Sequence, residues 1–122
     1  MRQPDIEIYL KQAELSAVTQ WLSQRLGPLS AWTVQGKTRR CHAGQIPIVW
    51  VEQAVGKWHS LVLESDATPW VDDLNCAQEA FQALQIEIRC MPCSWQEDEQ
   101  EEEADRWLSI GPQGVQNIIW RT

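Results

Sequence analysis

Only two stretches of this chain repeat apolar residues at helical spacing; its other patterned stretches alternate with a period of two. Leu15, Val18, Leu22 and Leu26 form the first helical stripe, which Gly27-Pro28 ends. Trp70, Leu74, Ala77, Phe81 and Leu84 form the second. Thr68 is its expected N-cap, Pro69 its first helical residue, and Asp72 and Asp73 suit the positive end of the helix dipole.

The strand-like stretches are Ile6 to Leu10, Ala31 to Arg40, Ile46 to Glu52 and Trp58 to Glu64, followed by Ile86 to Arg89 after the second helix. Cys41-His42-Ala43-Gly44 and Ala54-Val55-Gly56-Lys57 read as the turns of a three-stranded meander. Trp107 to Ile110 and Val115 to Trp120 flank Gly111-Pro112-Gln113-Gly114, a final hairpin. The expected order is therefore βαβββαβ plus a hairpin, in a single domain over residues 1–122. Two helices can bury both stripes only by sharing one face of a mostly antiparallel sheet. That is an α+β two-layer sandwich, a ferredoxin-like variant with added strands.

Such a sheet leaves its second face in need of cover, and the chain has eight tryptophans against one phenylalanine and one tyrosine. Trp21 and Trp70 sit with the helical stripes. In the third meander strand, Leu61 and Leu63 suit the helix side, which sends Trp58, Ser60 and Val62 to the other. Trp50, Trp58 and Trp32 are the candidates for the open face. Exposed apolar patches mark association sites, so the expected function is a binding or protein-interaction module, homodimeric through this face. A pocket for a small apolar ligand is a variant of the same reading.

The net charge of −7 is concentrated. Glu97, Asp98, Glu99, Glu101, Glu102, Glu103 and Asp105 form an acidic loop within residues 96–105, and the rest of the chain balances ten acids with ten bases. Its functional reading is a handle for a basic protein partner, anchored by the flanking Trp95 and Trp107. Lys37, Arg39 and Arg40 are the one basic cluster, too small for a nucleic-acid surface. The longest apolar run, Ile46 to Val51, is too short to span a bilayer, and no apolar signal region opens the sequence. Irregular cysteine spacing does not suggest a secreted disulfide framework, so the expected location is cytoplasmic.

The competing reading is a zinc-binding protein or small enzyme. Cys90-Met91-Pro92-Cys93 has two-ligand zinc spacing, and Cys41 and His42 are candidates to complete the site, with Cys76 near the same rim. Neighbouring residues of a strand face opposite ways, which opposes joint ligation by Cys41 and His42. The same Cys-x-Pro-Cys spacing also occurs in thiol oxidoreductases, but the acids nearby raise thiol pKa values, the reverse of what a reactive cysteine needs. Gly36-Lys37-Thr38 lacks the earlier glycine of a phosphate-binding loop, and His42 and His59 have no nucleophile elbow or metal pair beside them. No catalytic residue is assigned.

Overall fold

The computed structural model describes residues 5–65, 68–70, 72–90 and 106–119. Ten elements follow in order: β1 (Ile6–Lys11), α1 (Leu15–Leu26), β2 (Thr33–Gln35), β3 (Thr38–Ala43), β4 (Ile46–Val55), β5 (Trp58–Leu63), α2 (Asp73–Leu84), β6 (Ile88–Cys90), β7 (Arg106–Gly111) and β8 (Gly114–Ile119). The fold is mixed α+β. All eight strands join one sheet, ordered β2-β3-β4-β5-β1-β6-β7-β8, and every neighbouring pair is antiparallel.

The stretch read as one strand from Ala31 to Arg40 is two. Gly36 turns the chain at a φ of 61°, a left-handed conformation that glycine adopts without a Cβ penalty, and β2 folds back on β3 as a tight hairpin. Cys41 to Ala43, expected in a turn, continue β3. The extra reversal inverts every later strand, which makes β6 antiparallel to β1. Between Val51 and Val55 the register of β4 on β5 shifts, with Gln53 at a φ of 49°. His59 Nδ1 accepts the Gln53 N–H at 2.9 Å and ties this bulge down.

Helix α2 begins later than Thr68-Pro69. Asp72 is its N-cap, accepting from the Asn75 N–H at 2.8 Å, while the Thr68 hydroxyl donates to the Trp70 carbonyl. Its buried face also differs from the apolar stripe. Cys76, Ala77 and Ala80 are fully buried, whereas Leu74, Phe81 and Leu84 are only partly so. Small side chains let the helix backbone settle close to β1, β6 and β7, on which it packs. Helix α1 lies beside α2, contributing Val18, Trp21 and Leu22 to the same core.

The sheet face beneath the helices carries Ile6, Ile8 and Leu10 of β1, Leu61 and Leu63 of β5, Ile48 and Trp50 of β4, and Ile88 of β6, all buried. Among the described residues, no helix is long and apolar enough to cross a membrane.

Candidate functional site

Register settles which face Trp50, Trp58 and Trp107 take. Trp50 pairs with Leu61, which pairs with Ile8, so Trp50 belongs to the helix-covered face and not to the open one. It is fully buried, its indole Nε1 donates to Glu52 Oε2 at 2.8 Å, and its ring stacks on His59 at 5.0 Å. Trp32 precedes β2 and packs on the core beside α1, donating to Thr19 Oγ1 at 3.1 Å. Trp21 and Trp70 meet in the core with ring centroids 5.4 Å apart, and Trp21 Nε1 donates to Glu79 Oε2. Of the five tryptophans expected at a binding surface, Trp58 and Trp107 lie on the sheet face opposite the helices, which is the open face only with respect to the described residues, and Trp58 is just 9% exposed there. Trp95 lies outside the described residues, as do Trp120, Cys93 and the acidic loop.

The open face has a defined centre. One register row crosses it through Thr38, Val51, Ser60, Tyr9, Arg89, Ser109 and Gln116. The Arg89 guanidinium carbon sits 4.3 Å from the Trp58 ring centroid, a cation–π contact. Tyr9 meets Trp107 edge-to-face at 5.4 Å and 85°. Glu87 organises the polar side: its Oε2 accepts from Ser109 Oγ at 2.7 Å and from Arg89 Nε at 3.3 Å, and its Oε1 lies 3.9 Å from Lys11 Nζ. Val49, Val51 and Val62 continue the face as half-buried aliphatic surface. Burial raises the Tyr9 pKa, the Glu7 carboxylate raises it further, and the hydrogen bond with Ser60 opposes both; burial also raises Glu7.

Sequence reasoning passed over Tyr9, Glu87 and Arg89 as the polar halves of strand alternations. Their parity was readable; the strand order that gathers them was not.

Cys41 and Cys90 do not come together as a shared zinc site would require. Cys41 on β3 and Cys90 on β6 are separated by β4, β5 and β1, roughly 19 Å at about 4.8 Å per strand step. His42 is exposed, on the opposite side of β3 from buried Cys41. Among the described residues, no group of three His, Cys, Asp or Glu side chains could hold a metal ion. Cys90 does lie near Cys76 of α2, whose pKa is pushed well up by burial, then by Asp73, Glu79 and Cys90. His59, the buried histidine, is occupied by the Gln53 N–H and the Trp50 ring.

Burial pushes the Cys41 thiol up to about 11 from 9.0. At pH 7.5 only about one molecule in 3,000 then carries the thiolate. Iodoacetamide at that pH is expected to leave Cys41 and Cys76 unmodified in the native protein and to modify both in urea, as read by mass spectrometry. Modification of both within minutes in buffer alone would contradict the burial. The sign of the linkage follows: the folded state holds the Cys41 proton more tightly than the unfolded state. That contribution to stability is complete below pH 9 and is lost as pH rises toward 11.

No family model, curated protein or solved structure matches this chain.

Proposed function

We propose that the protein is an interaction module that works as a homodimer, with the open sheet face as its two-fold interface. The observation that carries this reading is the cluster at the centre of that face, where Tyr9, Trp107 and Arg89 are half-buried and Arg89 lies over a Trp58 ring that is largely covered already. Aromatic side chains and arginine dominate the residues that carry binding energy, and these four are held in place by their neighbours before any partner arrives. Size supports it as well. Eight strands make a face of roughly 38 Å by about 20 Å, close to the ~800 Å² per partner of a standard interface.

The same reading takes the architecture as a two-layer, ferredoxin-like variant. Without the β2–β3 hairpin, the chain from β1 to β6 runs βαββαβ, with the sheet order β4-β5-β1-β6.

Val62 lies beside the aromatic cluster, and a two-fold axis would count any change there twice. Val62→Arg is expected to lower the solution mass by half at about 50 µM and to leave the circular dichroism unchanged. Light scattering showing the wild-type chain at its monomer mass of 14.1 kDa would overturn the reading.

A further inference from the structure

We infer that β8 is a second self-association surface, pairing edge-to-edge with β8 of another copy about a two-fold axis through Asn117. β8 ends the sheet, and no described strand pairs with its outer edge. Such an edge offers a row of open N–H and C=O groups, which proteins normally guard with brevity, charge, proline or a bulge. At the opposite end of the sheet β2 has such protection, being three residues long and paired with a strand that carries Arg39 and Arg40. β8 has none. Its six residues, Gly-Val-Gln-Asn-Ile-Ile, contain no charge and no proline, and its register with β7 is unbroken from Gly114 to Ile119.

The backbone fixes which pairing is available. In a two-residue hairpin the closing pair, here Gly111 and Gly114, is hydrogen-bonded, and the bonding alternates from there. Val115, Asn117 and Ile119 therefore turn their N–H and C=O groups outward. A two-fold axis through Asn117 sets Val115 opposite the copy's Ile119, and Asn117 opposite itself. All the outward groups of the strand then join in about six backbone hydrogen bonds.

The side chains agree with this register. Val115 and Ile119 are 41% and 59% exposed, two of the three exposed large aliphatics among the described residues, and both lie on the helix side. The pairing covers each with the other. Gln116 falls opposite Ile118 on the open side, and no like charges meet anywhere along the strand.

This two-fold is perpendicular to the sheet, whereas the two-fold of the face dimer lies parallel to it. The two contacts are independent, and a face-dimer axis that runs across the strands toward Asn117 meets the edge axis at a right angle, which closes a tetramer of dihedral symmetry. Sedimentation of the full chain up to about 100 µM separates them. Asn117→Pro removes only an outward N–H, and Val115→Lys sets a charge against Ile119 without touching the β7 register.

The wild type is expected to be a tetramer that either edge variant, or Val62→Arg, cuts to a dimer. A wild-type dimer that the edge variants dissociate at least tenfold more readily, and Val62→Arg does not, would support the edge and overturn the face. A dimer or tetramer whose mass neither edge variant changes overturns the edge pairing, whatever Val62→Arg does. A wild-type monomer overturns both.

Discussion

Trp50→Ala is expected to destabilise the folded chain by about 3–5 kcal/mol, as measured by urea unfolding. The side chain is fully buried between β4, β5 and the helices, so its removal costs both its transfer from water and the cavity left behind. It also strands two neighbours, since Glu52 loses the Nε1 hydrogen bond and His59 loses its stacked ring. His59 in turn holds the Gln53 bulge. Domains of this kind are stable by only about 5–15 kcal/mol, so the variant should unfold about 12–20 °C lower, at about 4 °C per kcal/mol. Trp50→Phe keeps most of the volume and loses the N–H, for about 1–2 kcal/mol. A cost below about 1 kcal/mol for the alanine variant would place Trp50 on the open face after all.

Asp73→Ala carries the second largest effect, about 2–3 kcal/mol. This carboxylate opens α2 yet is buried, and its Oδ1 accepts the backbone N–H of Glu7 on β1 at 3.2 Å. It therefore joins the first turn of the helix to the sheet beneath it. The substitution removes a charge-assisted hydrogen bond, leaves a partly buried N–H without that acceptor, and removes a negative charge from the helix N-terminus. Asp73→Asn retains an acceptor oxygen and is expected to recover about half of the loss. Thermal unfolding of the two variants checks this. Equal loss in both would assign the effect to charge alone.

Much of the fold was legible because punctuation and period agreed. Gly27-Pro28 stops α1 where its stripe ends, and Gly111 and Gly114 bracket the β7–β8 turn as their spacing suggests. The misreadings have physical causes. Gly36 sits in a stretch whose residues suit a strand on both sides, so a two-residue turn looked like continuation. α2 hides its contact face because alanine and cysteine register weakly in an apolar stripe, although they allow the closest approach. β4 is apolar on both faces, so alternation could not say which side Trp50 took; only its pairing with Leu61 does. The open-face cluster needed more, since Trp58, Tyr9, Arg89 and Trp107 come from four strands whose order no local pattern contains.

β1 lies in the middle of the sheet, yet its two neighbours are β5 and β6, far along the chain. During synthesis Ile6, Ile8 and Leu10 therefore leave the ribosome long before Leu61, Leu63 and Ile88 exist to cover them. At about 5–20 residues per second that interval lasts several seconds. β1 is made before both of its partners and can pair only once they exist. The chain must carry an apolar, β-prone segment without its strand partners until β5 and β6 have been made, which makes its yield in the cell sensitive to elongation rate and to chaperone supply.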